Sequence, residues 1–377
     1  MARITIDYTP ALRQTAGIGR YTRGLIAGLA EVGVGRHQLT LFCAGNSAGH
    51  EQPPPGFRVR TTRLPSRWLT AGWQRLHLPL PAEWLAGPCD IFHSPDFSLP
   101  PLVRARGVVT IHDLSFLRVP ACADPRLRAY LERAVPRAVQ IAHRVLADSA
   151  NTRNDLVALL GVPESRLSVV HGGVEPRFRR VTCSQELERA RERYRLPERY
   201  IFGIGTLEPR KNFAGLIRAY ASLYRRHPGL PPHLVIAGKP GWLYDDIYAA
   251  VEQERVAERV HFVGFVADCD LPALYSLADM LAFPSRYEGF GLPPLEAMAC
   301  GVPVIAAANS SLPETIGEAG LLIDCEDTHE LSQAMERALE DQDLRRRLAE
   351  LGPAQAAHFS WAAAARELVA AYELALR

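Results

Sequence analysis

Two glutamates with seven residues between them, Glu288 and Glu296, flank a Gly-Phe-Gly turn and a proline pair in the stretch FPSRYEGFGLPPLEAMACGVPVIA at 283–306. A carboxylate accepts hydrogen bonds from hydroxyl groups, so this spacing suits the paired hydroxyls of a ribose or a hexose. The N–H groups of Phe290, Gly291 and Leu292 open a helix expected to begin near Pro293, where proline is tolerated. Such N–H groups hold phosphates. Arg210 and Lys211 stand in FGIGTLEPRKN, again at an expected helix start. Cations are disfavoured there by the helix dipole, so an anionic partner is the better reason for them. Of the 43 basic residues only Lys211 and Lys239 are lysines. Where the rest of a chain has moved to arginine, a retained lysine marks a place for a compact ammonium. Gly17, in the turn AGIGRYT at 16–22, would let backbone approach a phosphate or sugar closely. His112 and Asp113 end another apolar run.

The elements that position these groups are short apolar runs alternating with helical stretches, the texture of buried parallel strands. In the first half the runs are 4–8, 39–43, 57–60, 91–94, 108–113, 145–149 and 167–171, with helices at 19–32, 125–142 and 151–160. A polar, charged stretch at 172–195 interrupts the rhythm. It restarts at 200–206, 234–238, 260–263, 280–284, 302–306 and 321–324, with helices at 214–226, 247–255 and 294–300. The expectation is an α/β protein of two domains, 1–175 and 176–360. An alanine-rich amphipathic helix at 361–377 either caps the second domain or crosses back to the first.

Each half opens with strand, glycine turn and helix, yet neither loop is a dinucleotide fingerprint. Gly17-Ile18-Gly19-Arg20-Tyr21-Thr22 lacks the third glycine, and Glu208 stands where the second loop needs one. A nicotinamide cofactor is excluded on that ground. The net charge of +2 speaks against nucleic acid as a partner. Seven scattered cysteines without a C-x-x-C pair fit reduced thiols in a cytoplasmic protein. The start MARITIDYTP reads as a strand rather than a signal peptide, and no apolar run reaches the ~20 residues that span a bilayer. The protein is therefore expected in the cytoplasm, with attachment at the inner face of the cell membrane left open.

EGFGLPPLE at 288–296, with PRKN about 80 residues upstream, resembles glycosyltransferase family 4. AGIGRYT at 16–22, IHD at 111–113, ADSANTRNDL at 147–156 and the FSW before the last helix extend the likeness over nearly the whole chain. The resemblance implies the GT-B fold, two facing Rossmann-like domains with a donor cleft between them, the first (1–175) binding the acceptor and the second (176–360) the nucleotide-sugar. It implies a nucleotide-sugar donor whose diphosphate is held by Arg210 and Lys211, which neutralise charge growing on the leaving group. It also implies that Glu288 binds hydroxyls of the transferred sugar, that Glu296 binds the nucleotide ribose, and that His112 faces the sugar from the first domain. Asp113 is expected to contact the acceptor, and Gly17 the donor.

The family retains anomeric configuration, and no carboxylate nucleophile is agreed for it, so front-face attack through an ion-pair-like transition state is expected. No cofactor or metal is expected, because cations and helix N–H groups do the work of an ion. Asp268-Cys269-Asp270 imitates a metal-binding triplet but reads as a helix N-cap with a surface acid. GIGRYT, IHDLSF and AGKPGWLYDD are similar to the mannosyltransferase B-like branch of bacterial polysaccharide synthesis. That implies GDP-mannose or a related GDP-sugar as donor and a glycan or lipid-linked glycan as acceptor. A UDP-sugar donor is the alternative, followed by a nucleotide-sugar 2-epimerase or a non-catalytic nucleotide-sugar-binding protein. The segment 66–87 carries three of the five tryptophans among arginines, a composition for a membrane interface or for a partly buried flap.

Overall fold

The computed structural model describes residues 1–14, 17–45, 55–76 and 78–377. Ala16 of the first glycine turn, Pro53 and Pro54 of the PPPG loop at 53–56, and His77 of the tryptophan-bearing segment lie outside the described residues.

The chain divides into two units. The first comprises Met1–Leu114, Arg126–Gly173 and Phe359–Arg377, and the second comprises Ser115–Pro125 and Val174–His358. This corrects the expected boundary in one respect, because Ser115–Pro125 belongs to the second unit. There the Cys122 carbonyl accepts the Trp242 indole N–H at 2.8 Å.

The sheet of the first unit is built from β1 (Arg3–Asp7), β2 (Gln38–Ala44), β3 (Arg58–Thr62), β4 (Ile91–Ser94), β5 (Arg106–Ile111), β6 (Arg144–Ala147) and β7 (Leu167–Val169). Its order is β3-β2-β1-β4-β5-β6-β7 and every pairing is parallel. β4 is buried throughout, as a strand covered on both faces must be, whereas edge strand β3 is mostly exposed and carries Arg58 and Arg60.

The sheet of the second unit is built from β8 (Tyr200–Ile204), β9 (His233–Ala237), β10 (Val260–Gly264), β11 (Met280–Phe283), β12 (Val304–Ala307) and β13 (Leu321–Ile323). Its order is β10-β9-β8-β11-β12-β13, again all parallel. In each sheet the chain winds one way from its first strand and then returns to wind the other way. The order reverses between β1 and β4 in the first unit and between β8 and β11 in the second. Loops leaving the C-terminal ends of two such strands part to opposite faces and open a crevice, the usual ligand position in open parallel sheets.

The helix Trp361–Leu376 packs on the helix Ile18–Val32 within the first unit. Its first residue fits a slot made by absent side chains. A Cβ at Gly24 would lie 2.1 Å from the Trp361 ring, and one at Gly28 would lie 2.1 Å from the Trp361 carbonyl oxygen. Trp361 is 7% exposed, and Leu368 and Tyr372 continue the contact into the core. The Tyr372 hydroxyl meets His93 Nδ1 at 2.7 Å, and Thr110 Oγ1 lies 2.9 Å from Nε2 of the same ring. Burial pushes the His93 pKa down to about 3, so this histidine is a neutral core link between helix and sheet.

Candidate active site

In the second unit the β8/β11 reversal brings together Arg210, Lys211 and Glu288. The loop after β8 carries Pro209–Lys211 as one 3-10 turn, and the loop after β11 carries Ser285–Gly291. Lys211 Nζ lies 2.6 Å from Glu288 Oε1, and Arg210 Nη1 lies 3.1 Å from Glu288 Oε2. Arg210 also donates to the Tyr287 carbonyl at 2.9 Å and pairs through Nη2 with Glu208 at 2.6 Å. The Lys211 ammonium stands 5.0 Å from the centre of the Phe283 ring. Glu288 is 7% exposed. Burial opposes its ionisation, but the charges of Lys211 and Arg210 outweigh it and hold the carboxyl below the usual glutamate range.

The backbone of Glu288 is fixed from the other side. Its N–H donates to Ser310 Oγ at 2.9 Å, and its carbonyl accepts Ser311 Oγ–H at 3.0 Å. Gly291 then caps the helix Leu292–Ala299 at φ +103°, a conformation that L side chains rarely adopt. Phe290, Gly291 and Leu292 thus stand at the helix N-terminus, where the first N–H groups have no intrahelical acceptor. Glu296 sits in the second turn and is 1% exposed, accepting the Tyr275 hydroxyl at 3.0 Å. A solvent-facing helix glutamate is thereby excluded.

His112, Asp113 and Gly17 belong to the first unit. His112 follows β5 and is held at both ring nitrogens, with Nδ1 2.6 Å from Asp148 Oδ2 and Nε2 2.8 Å from the Pro95 carbonyl oxygen. The Pro95 carbonyl accepts from Nε2–H, and with Asp148 ionised Nδ1–H is its donor, so the ring is then an imidazolium. Burial works against that charge, but the Asp148 carboxylate overrides it and raises the His112 pKa to about 9. Burial of Asp148 pushes its own pKa up. The attraction between the two charges keeps the proton on the imidazole, with Nε2–H given to the Pro95 carbonyl. Tyr21 and Phe97 meet the imidazole edge-on at 5.0 and 5.4 Å between ring centres. Asp113 is half-buried between β5 and the short helix Ser115–Arg118. Gly17 caps the helix Ile18–Val32 at φ +51° with open space where a Cβ would stand, so backbone geometry rather than a close neighbour favours glycine there.

Three residues of these sites were not assigned from sequence. Glu208 precedes Arg210 in GTLEPRKN, and its spacing from Arg210 is the signal that was available. Asp148 stands in the quoted stretch ADSANTRNDL, but its partner is 36 residues away and only the β5–β6 pairing brings them together. Pro95 contributes backbone alone, which sequence does not mark.

One expectation is corrected. Asp270 precedes the helix Leu271–Leu277 but makes no capping hydrogen bond through its side chain. It is 3% exposed and accepts the Tyr194 hydroxyl at 2.8 Å, with Arg193 at 2.9 Å. It anchors the helix Ser184–Tyr194, while Asp268 approaches Arg177 at 3.7 Å. Among the described residues no group of three His, Cys, Asp or Glu side chains is placed to hold a metal.

Two family profiles divide the chain: "Glycosyltransferase Family 4" matches residues 15–178 and "Glycosyl transferases group 1" matches 184–355. The chain is 34% identical over 297 residues to the O-antigen chain mannosyltransferase B of Escherichia coli, covering 75% of this chain and 74% of the relative. It is 30% identical over 387 residues to a D-inositol 3-phosphate glycosyltransferase of Nocardia farcinica, covering 99% and 80%. Among solved structures, sucrose-phosphate synthase from Thermosynechococcus elongatus superposes with a TM-score of 0.77 at 22% identity, over 99% of this chain and 98% of that one. At that identity the likeness speaks to the fold.

Proposed function

The chain belongs to glycosyltransferase family 4, with two Rossmann-like domains of the GT-B class, and from that premise we propose that it transfers a mannosyl or closely related unit from a GDP-sugar to a glycan. The observation that carries the reading is the cluster of Arg210, Lys211 and Glu288 at the β8/β11 reversal. Glycosyl transfer breaks a sugar–phosphate bond and leaves a nucleoside diphosphate, so positive groups aimed at that phosphate act most strongly in the transition state.

In this reading a diphosphate takes the two cations now satisfied by Glu288, and Glu288 turns to hydroxyls of the transferred sugar. The N–H groups of Gly291 and Leu292 supply further phosphate donors, and Glu296 lies behind them for the ribose. A sugar oxygen takes the Nε2–H of His112 in place of the Pro95 carbonyl that now holds it. Arg210, Lys211 and the helix N-terminus together do the electrostatic work of a metal, and transfer proceeds with retention by front-face attack. The test needs no acceptor. Slow hydrolysis of GDP-mannose in the presence of chelator, followed by NMR, is expected to release α-mannose first. Release of β-mannose first, or hydrolysis that requires manganese, would overturn this mechanism.

The mannosyltransferase relative favours the GDP-sugar. The inositol phosphate glycosyltransferase relative, aligned over almost the whole chain, favours a second reading in which the acceptor is a phosphorylated polyol.

A lipid-linked acceptor fits one feature of the first unit. Trp68, Leu76 and Trp84 are 66%, 69% and 72% exposed, beside exposed arginines such as Arg63 and Arg67. Aromatic and aliphatic side chains among arginines suit an anionic membrane interface. No helix among the described residues is long and apolar enough to cross a membrane. Flotation with phosphatidylglycerol vesicles at low salt is expected to carry the protein upward, and the double variant Trp68→Ser, Trp84→Ser is expected to stay below. Equal behaviour of the two proteins would remove the membrane role of this segment.

A further inference from the structure

The second unit carries a cavity of about 290 Å³ that shares no residue with the cluster of Arg210, Lys211 and Glu288. Its walls include Arg177, Arg179, Arg180, Cys183, Glu186 and Cys269. From this cavity we infer a separate anion site, which takes the phosphate group of a small soluble phosphate between Arg179, Arg180 and the first turn of the helix Ser184–Tyr194. The inference stands on the second unit alone and does not depend on which donor or acceptor the protein uses.

The segment that carries the arginines is held by other groups, so folding does not require their charge. Phe178 is 4% exposed and meets the Tyr275 ring at 6.2 Å between centres. The Val181 N–H donates to Ser276 Oγ at 2.9 Å, and that hydroxyl donates to the Pro272 carbonyl at 2.7 Å. Arg177 has protein carboxylates, Glu175 at 2.7 Å and Asp268 at 3.7 Å, yet its Nε is buried without a hydrogen-bond partner among the described residues. Arg179 and Arg180 are exposed, and neither forms an ion pair among the described residues. Arg180 gives one N–H to the Gly301 carbonyl at 3.3 Å. A guanidinium carries five donors, so both arginines keep donors for a ligand.

The helix beside them adds a third set of donors. Cys183 stands at its N-cap and makes no capping hydrogen bond through its side chain. The first N–H groups of a helix have no intrahelical acceptor, and the helix dipole draws negative charge toward them. The cavity reaches this turn at Cys183 and Glu186. Glu186 offsets part of the charge. With Arg177 set against its own carboxylates, two arginines and a helix N-terminus face one glutamate.

The arrangement of donors selects the ligand class. One arginine fork satisfies a planar carboxylate, whereas a phosphate presents three strong acceptor oxygens to donors from separate directions. A metal cation is repelled by the same arginines. The volume lies near the lower end for small-molecule sites and leaves room beside a phosphate for a small organic part.

The cavity also carries its own reporters. Of the seven cysteines, Cys183 and Cys269 are the exposed ones, and both line it. The test is alkylation of the full chain by iodoacetamide, a neutral reagent, with the rate at each thiol read by mass spectrometry. Inorganic phosphate and glycerol 3-phosphate are the probes, against chloride at equal ionic strength. At least one probe is expected to slow labelling of Cys183 and Cys269 severalfold and saturably. The double variant Arg179→Ser, Arg180→Ser, at two exposed positions, is expected to lose this protection. Glu186→Gln is expected to strengthen it, and Lys211→Ala, which disables the other cation cluster, to leave it unchanged. No protection beyond that of chloride, or protection that survives loss of both arginines, would overturn the site. Protection lost in Lys211→Ala would return the anion to the Arg210–Lys211 cluster and overturn it equally.

Discussion

Replacing Glu288 with glutamine is expected to lower turnover by about 10²–10³-fold, while affinity for the free nucleoside diphosphate stays level or rises. The asymmetry follows from the geometry. Glu288 is a buried carboxylate between Lys211 at 2.6 Å and Arg210 at 3.1 Å, and these are the cations that a diphosphate requires. In the proposed reading, removing its charge frees them for the nucleotide and takes away the acceptor for the sugar hydroxyls. Steady-state rates and calorimetry on one protein preparation give both numbers. A variant with unchanged turnover would remove Glu288 from the reaction. The same cluster sets an acid limit. The folded-state pKa of Glu288 lies below its unfolded value, so its contribution to stability is present above the ordinary glutamate range near pH 4.3 and is lost as pH falls below it.

Asp148→Asn is expected to lower turnover by about 10²-fold near pH 7.5 and to move the alkaline limb of the pH–rate profile to lower pH. His112 is buried, and burial alone drives an imidazole below its ordinary value of about 6.5. The Asp148 carboxylate reverses that and raises it to about 9. Without the carboxylate the ring is neutral at pH 7.5 and carries one N–H, so it can no longer donate both to the side chain at position 148 and to the Pro95 carbonyl. The sign is fixed: the stability that the charged ring contributes is fully present below about pH 6.5 and is lost as pH rises through about 9, where the native ring loses its charge. Nitrogen-15 spectra of the ring report this without any turnover. If the imidazole of the variant still titrates near 9, Asp148 is not the positioning residue for His112.

Much of the frame was legible because parallel strands buried on both faces leave continuous apolar runs. Strands β4, β8 and β11 fall within the runs 91–94, 200–206 and 280–284, and the helix Trp361–Leu376 begins at the expected residue. The proximity of Arg210 and Lys211 to Glu288 was implied by the family pattern, and β8 and β11 are adjacent, which places the two loops side by side.

The ion pairing itself was not legible. Sequence spacing says which residues leave neighbouring strands, but not that Glu288 turns back onto both cations while Glu208 takes the other face of Arg210. Asp270 shows the same limit. Its place before a helix reads as a cap, but Tyr194 and Arg193 approach from another helix and claim the carboxylate. The slot for Trp361 depends on Gly24 and Gly28 lying one helical turn apart on one face, and their partner is more than 300 residues away. Ser115–Pro125 joins the second unit through contacts such as Trp242 to Cys122, which local periodicity does not encode.

The most direct measurement is calorimetric titration of the purified protein with GDP-mannose, UDP-glucose and UDP-GlcNAc, without added metal. The account predicts saturable binding of GDP-mannose in preference to both UDP-sugars, weakened tenfold or more by Lys211→Ala. No binding of any nucleotide sugar to the folded protein, or binding that Lys211→Ala leaves unchanged, would contradict it.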